Sequence, residues 1–300
     1  MDISKMTGLC RENGIDYEEN AVLAPYTSMK IGGACDLLIK AVDEAQLAAA
    51  VSGCRREDIP YFILGRGSNL LVSSAGFHGC VIHLSPEKPQ INVSGTTLTA
   101  WAGTPLSAVC NAALEHSLSG LEFAYGIPGS LGGALYMNAG AYGGEMKDVV
   151  TSCRYIDGSG ELREMPAEDM ELSYRHSAFS GSDSIITSVT MELRPGSRDE
   201  IKSVMTELMD RRRSKQPLNY PSCGSTFKRP AGYFAAALIE ECGLKGFAIG
   251  GAQVSEKHSG FVVNRDHATF EDVMAVVDEV KRVVLEKKGV QLECEMIVLK

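Results

Sequence analysis

Apolar positions recur at helical spacing through VDEAQLAAAVSGCRRED (42–58), and the short apolar run IPYFILG follows and enters a glycine. A three-to-four-residue recurrence puts apolar side chains on one helix face, and a short unbroken run ended by glycine is a buried strand. The pair is an αβ unit that ends in GRGSNLLV. CVIHL (80–84), INVSG and TLTAWAG (97–103) read as strands. PLSAVCNAALEHSL (105–118) reads as a helix opening on proline, which suits the first turn. Residues 119–144 hold many glycines and little regular pattern. VTSCRYIDGSGELREM (150–165) predicts a hairpin turning at Asp157-Gly158-Ser159-Gly160, and SIITSVTMEL (184–193) a strand.

RPGSRDE (194–200) breaks the pattern, with Pro195 and Gly196 ending the strand and Ser197 available as a helix cap. A long amphipathic helix follows and stops before Pro217. YFAAALIEECGLKG predicts a helix with a glycine stop, and residues 270–288 another that stops at Gly289. VQLECEMIVL predicts a closing strand. Alternating helices and strands exclude an all-helical bundle and leave α/β or α+β. A domain boundary is expected near 195–198.

Composition narrows the partners. The chain has 300 residues, about two domains by size, with 44% apolar and 22% charged residues. No window approaches the ~20 apolar residues of a membrane helix. The polar N-terminus, MDISKMTGLCRENGIDYEEN, has no apolar signal core, so a cytoplasmic protein is expected. The net charge of −9 speaks against nonspecific nucleic-acid binding, which needs a cationic surface. Nothing in the sequence signals an obligate protein partner. Nine scattered cysteines without a C-x-x-C pair argue against a disulfide framework and a zinc site. The run Arg211-Arg212-Arg213-Ser214-Lys215 concentrates positive charge; a solvated helix end, where cations are favoured, has the same composition.

Two glycine-rich loops carry candidate chemistry. Gly65 and Gly67 follow a strand as in a dinucleotide-binding turn, but position 70 is leucine and no helix start follows. A Rossmann loop is therefore excluded. Two glycines still let main-chain N–H groups approach phosphate oxygens, and Ser68 and Asn69 add donors. The second loop, YGIPGSLGGALYMNAGAYGG (125–144), has eight glycines or prolines between 126 and 144. Long loops without regular structure are uncommon and often functional. Together the loops suit a ligand with a pyrophosphate and a flat ring system. PSCGSTFKRP (221–230) sets two hydroxyls beside two cations; a surface turn has this composition, and so does a site giving a proton to an anion.

Seven blocks occur in order: TSMKIGG (27–33), LGRGSNLL (64–71), GIPGSLGGALYMNAGAYGGE (126–145), SYRHS (173–177), GSTFKRP (224–230), GLKGFAIGGAQVSEKHSGFVVN (243–264) and VQLECE (290–295). Together they resemble the UDP-N-acetylenolpyruvoylglucosamine reductase family, compact subtype, from about residue 20 to the end. The resemblance implies an α+β fold. A vanillyl-alcohol-oxidase/PCMH-type FAD-binding module of two α+β subdomains (30–196) follows an N-terminal segment (1–29). A C-terminal α+β domain (197–300) caps the substrate. It implies NADPH as hydride donor, a UDP-sugar substrate and reduction of its enolpyruvyl ether to UDP-N-acetylmuramate in peptidoglycan precursor synthesis. Some relatives carry a histidine after the second loop glycine that bonds the flavin. Ser68 stands there, so FAD is expected to be noncovalent. Compact members have Glu-Gly after GSTFKRP, where this chain has Ala231-Gly232.

The resemblance also assigns residues. Arg175 matches the enolate-stabilising arginine, and a guanidinium fork suits a carboxylate. Ser225 matches the proton donor. Glu295 matches the catalytic glutamate; Glu293 would share its face in a strand and is the fallback. FAD is expected on Lys30, on Gly65, Arg66, Gly67, Ser68, Asn69 and Leu70, and on Gly126, Ile127, Pro128, Gly129, Ser130, Gly132, Asn138, Ala139, Gly140 and Ala141. Lys215, Lys228, Arg229, Lys257 and His258 are the expected sugar-nucleotide contacts. No metal is expected. The competing readings are an FAD-dependent oxidase or dehydrogenase of a sugar or alcohol, and a flavin-binding module without turnover.

Overall fold

The computed structural model describes residues 3–86 and 88–300. Its helices are α1 (Ser4–Glu12), α2 (Glu44–Arg56), α3 (Leu106–Glu115), α4 (Leu131–Tyr136), α5 (Arg198–Lys215), α6 (Ala235–Glu241) and α7 (Phe270–Lys288). By its contacts the chain divides into two compact units, each built from separate stretches. One holds the segments up to Glu19, Leu37–Arg66 and Gly79–Arg212; the other holds Asn20–Asp36, Gly67–His78 and Arg213–Lys300.

A four-stranded sheet has the order Asp16–Val22, Ala34–Ala41, Phe77–Leu84, Tyr61–Leu64, the last two running parallel. The helix before Tyr61 forms where apolar periodicity placed it. Asp43 caps α2 by accepting from the Gln46 N–H at 2.9 Å, and Leu47, Ala50, Val51 and Cys54 form its buried face. A five-stranded antiparallel sheet has the order Leu162–Pro166, Val150–Ile156, Ile185–Glu192, Thr97–Trp101, Ile91–Ser94. Its hairpin turns as expected, with the Asp157 carboxylate accepting from the Ser159 and Glu161 amides. One apolar cluster fills the first unit, from Met6 to Met205. α5 fully buries Ile201 and Met205, with Leu208 and Met209 half-buried and Val204 exposed.

In the second unit α7 packs on a three-stranded sheet, Ala248–Ile249, Ala252–Val254, Val262–Asn264. Val273, Val276, Val277, Val280 and Val284 line one face of α7 and are buried. A Thr269/Asp272 capping box starts this helix, and Gly289 at φ +67° ends it. No helix among the described residues is long and apolar enough to cross a membrane.

The closing segment departs from expectation. Only Ile297–Leu299 is a strand, paired in parallel with Leu70–Val72. Residues 290–296 form no ladder, because their backbone groups have other partners. The Glu293 carbonyl accepts from the Lys228 N–H and the Glu295 N–H donates to the Thr226 carbonyl, both at 2.9 Å. In the second glycine loop α4 forms across Gly132 and Gly133, where no helix was expected.

Candidate active site

In the first unit the two glycine loops meet. A Cβ at Gly65 would overlap the Ser130 Oγ, and one at Gly132 would lie 2.7 Å from the Ala102 Cβ. Glycine is therefore required by close approach at both positions. Ser130 is buried and caps α4, accepting from the Gly133 N–H at 3.3 Å. Gly140–Ala141 pairs with Gly144–Glu145 across Tyr142 and Gly143, both at positive φ, a tight hairpin turn.

Asn138 organises the end of this loop. It is buried, and its Nδ2 donates to Glu145 Oε2 at 2.9 Å and to the Ser173 carbonyl at 3.0 Å. Its Oδ1 accepts from the Lys147 N–H at 2.9 Å. The side chain is thus committed to the protein, as is its N–H, which donates to the Leu135 carbonyl at 2.9 Å. Glu145 also pairs with Lys147 at 2.8 Å. The Lys147 ammonium, the Asn138 amide and the Arg175 charge hold the Glu145 carboxyl below its ordinary range.

Asn138 thereby fixes the turn that carries Arg175. Ser173 and His176 exchange both backbone hydrogen bonds at 3.2 Å, so Tyr174 and Arg175 form the corner. Arg175 is half-buried with φ +56°, a left-handed conformation that is strained for arginine, and its guanidinium lies 5.1 Å from the Tyr174 ring centre. His176 is an exposed turn residue.

His83 is placed beside the first loop by its pairing with Leu64. Burial, with the Lys40 and Arg66 charges, drives its pKa from 6.5 to about 4, while a bond to the Gly65 backbone opposes the shift. The imidazole is neutral when folded, so the unfolded chain binds more protons between pH 4 and 6.5. Stability from His83 is complete above pH 6.5 and is lost as pH falls toward 4. A loss of about 2 kcal/mol between pH 7.5 and 5 is expected, and His83→Gln should flatten that part of the profile. Urea midpoints at the two pH values check this; an unchanged slope in the variant would refute it.

In the second unit, Gly67 has φ +57° and a Cβ there would overlap the Tyr26 carbonyl. Ser28 ties this loop down: its N–H donates to the Gly67 carbonyl at 3.0 Å and its Oγ donates to the Ser222 carbonyl at 2.6 Å. Asn69 Nδ2 donates to the Glu295 carbonyl at 3.0 Å. Leu70 begins the strand paired with Ile297. Lys30 donates to the Pro25 carbonyl at 3.0 Å.

The two hydroxyls of the GSTFKRP block part company here. Thr226 is buried; its N–H donates to the Gly260 carbonyl at 2.8 Å, and its Oγ1 accepts from the Val262 N–H at 2.9 Å. Ser225 is half-buried between Gly224 at φ +76° and this anchor, and among the described residues its hydroxyl bonds no protein group. The Thr226–Glu295 backbone bond brings the Ser225 turn and Glu295 together. Glu293 is strongly exposed and pairs with Lys228 at 3.5 Å, whereas Glu295 is half-buried with its amide and carbonyl both engaged. Of the nine free cysteines, Cys294 beside Glu295 is the one not buried. Burial pushes the Cys223 thiol up to about 12.

The remaining expected contacts lie in the second unit. Lys215 is exposed at the end of α5. The Lys257 ammonium donates to the Arg213 carbonyl at 2.5 Å, a cation on a helix C-terminus. The Arg229 guanidinium lies 4.7 Å from the Phe234 ring centre. His258 packs edge-on against Phe261 at 5.0 Å, and burial lowers its pKa. Sequence reasoning did not single out Ser28, Glu145 or His83; the first two lie inside the glycine-bearing blocks, which was the available signal.

Each loop by itself offers backbone donors to an anionic ligand. The amides of Gly67, Ser68 and Asn69 in one, and of Gly126, Gly129 and Ser130 in the other, donate to no backbone or side-chain acceptor among the described residues. Such amides, with glycines where any Cβ would obstruct, suit phosphate and ring oxygens. Residues 35–166 match the family model described as FAD binding domain. Fold and loops define an FAD-binding oxidoreductase with a PCMH-type module and a distinct C-terminal α+β domain. Residues 216–299 match the model of the UDP-N-acetylenolpyruvoylglucosamine reductase C-terminal domain. The enzyme of that name from Caldanaerobacter subterraneus subsp. tengcongensis is 49% identical over 277 residues, 92% of this chain and 91% of its own. That from Clostridioides difficile is 46% identical over 284 residues, 95% and 93%. The crystal structure of the Thermus caldophilus reductase aligns with TM-score 0.81 and 34% identity, covering 95% of this chain and 99% of that one. The chain belongs to the UDP-N-acetylenolpyruvoylglucosamine reductase family.

Proposed function

We propose that the protein uses NADPH to reduce the enolpyruvyl ether of UDP-N-acetylglucosamine enolpyruvate, giving UDP-N-acetylmuramate. The observation that carries this reading is the Ser225 hydroxyl, which no protein group among the described residues engages, on a turn bonded through Thr226 to Glu295. Noncovalent FAD would be held by the loop amides and by the Gly65, Gly67 and Gly132 positions; when bound it supplies hydride transfer to the β-carbon. Addition there builds negative charge on the α-carbon and its carboxylate. Arg175 stabilises that charge with its guanidinium fork, and Ser225 gives the proton to the α-carbon. Glu295 completes the network at the proton donor. A serine hydroxyl is a weak acid, and the neighbouring Lys228 and Arg229 lower the cost of a transient alkoxide. The exposed Lys228–Glu293 pair is worth at most ~1 kcal/mol, so a substrate anion can displace Glu293. Lys215, Arg229, Lys257 and His258 are further candidates for the sugar nucleotide.

Flavin absorbance near 450 nm tests the reading directly. NADPH added anaerobically is expected to bleach the band, and UDP-N-acetylglucosamine enolpyruvate to restore it. Recovery only on admitting oxygen would replace this function by an oxidase.

A further inference from the structure

Three consecutive arginines near the end of α5 point in three directions, because successive helical residues are turned by about 100°. Arg211 lies over the Tyr142 ring at 5.2 Å and 3.8 Å from Glu207. The Arg213 carbonyl is capped by Lys257. Arg212 turns toward the second glycine loop. A Cβ at Gly126 would lie 3.2 Å from the Arg212 Cδ and 3.9 Å from its Nη1, and 3.7 Å from the Met209 Cε one turn earlier. Glycine at 126 therefore makes room for the arginine stem. Tyr142, near the far end of the same loop, lies under Arg211 rather than Arg212.

The guanidinium is half-buried, and among the described residues it has no hydrogen-bond or ion-pair partner. Burial lowers its pKa from the ordinary value, yet a guanidinium stays charged at any working pH. A desolvated charge without a partner costs free energy in the folded chain. The amides of Gly126, Gly129 and Ser130, which among the described residues donate to no protein acceptor, belong to the same loop, so two kinds of donor lie along it.

We propose that Arg212 is an anion-binding residue of the second glycine loop, and that its anion is a group of the bound flavin dinucleotide. The chemistry shared by the possible ligands is delocalised negative charge on oxygen: a flavin or pyrophosphate oxygen of the cofactor, or the diphosphate of the UDP-sugar. Arg212, Gly126 and Tyr142 all lie in the unit that contains most of the residues matched to the FAD-binding model, and this favours the cofactor. The proposal rests on FAD occupying this loop.

Arg212→Met and Arg212→Lys test it. FAD release is followed by its fluorescence on diluting the holoprotein, UDP binding by calorimetry on FAD-saturated protein, and thermal melting with and without FAD. Arg212→Met is expected to weaken FAD at least 10-fold, to leave UDP affinity within twofold, and to raise the apo-protein melting temperature by about 2 °C as an uncompensated charge is removed. Arg212→Lys should fall between wild type and Arg212→Met. A midpoint potential that falls in Arg212→Met would place the contact at the flavin ring, and an unchanged potential at the pyrophosphate; both support the assignment. Unchanged FAD affinity with a lower apo melting temperature would make Arg212 a helix-end cation and overturn the proposal. Weakened UDP with unchanged FAD would overturn it in favour of the substrate diphosphate. Wild-type protein that binds no FAD would instead refute the reading of the loop itself.

Discussion

Ser225→Ala is expected to leave NADPH reduction of the flavin intact and to slow reoxidation by the enolpyruvyl substrate about 10²–10⁴-fold, the usual contribution of a positioned proton donor. Stopped-flow traces of the two half-reactions separate the effects. The variant is structurally mild, because among the described residues the hydroxyl bonds no protein group and the turn is held by Thr226 instead. Thr226→Ala supplies the contrast. It removes the acceptor of the Val262 N–H and should cost about 1–3 kcal/mol of stability while affecting both half-reactions through the fold. Equal slowing of both half-reactions in Ser225→Ala would remove the proton-donor role.

Arg175→Gly is expected to reduce turnover by about 10²-fold or more while leaving stability within about 1 kcal/mol of wild type. The backbone explains the second half. Arginine at φ +56° carries roughly 1–2 kcal/mol of strain, which glycine relieves, against the extra entropy of glycine in the unfolded chain. Arg175→Lys keeps the charge but loses the planar fork and should also be slow. A urea midpoint and a kcat measurement on the same preparations decide. Near-normal turnover in Arg175→Lys would show that a point charge suffices; a large stability loss in Arg175→Gly would mark the arginine as structural.

Much of the scaffold was legible because local rules and tertiary demand agree. Asp43 and Thr269 cap helices whose apolar stripes the sequence already displays, and Gly289 stops α7 where glycine tolerates positive φ. The 150–165 hairpin follows from Asp157 and its glycines. Where long-range pairing supplies the partners, legibility failed. VQLECE looks like a strand, but the backbone of Glu293 and Glu295 bonds the 226–228 segment, so the segment is shaped by residues some 65 positions away. α4 was hidden by Gly132 and Gly133, which weaken helix propensity, although Gly132 is needed for close packing on Ala102.

By itself the sequence pattern excluded an all-helical bundle and a Rossmann loop and displayed the two glycine-rich loops, and seven ordered blocks gave the family resemblance and with it the α+β class. Those signals are local in the chain: periodicity, caps, and residues spaced along one loop. The tertiary structure alone decided which of two adjacent hydroxyls is an anchor and which is open, and which of two strand-like glutamates is half-buried and which is exposed. It also decided which of three consecutive arginines is half-buried against the second glycine loop. Each of these turns on what a side chain meets after folding, and hydrogen bonds and burial between residues far apart in the chain leave no mark on the spacing of neighbours.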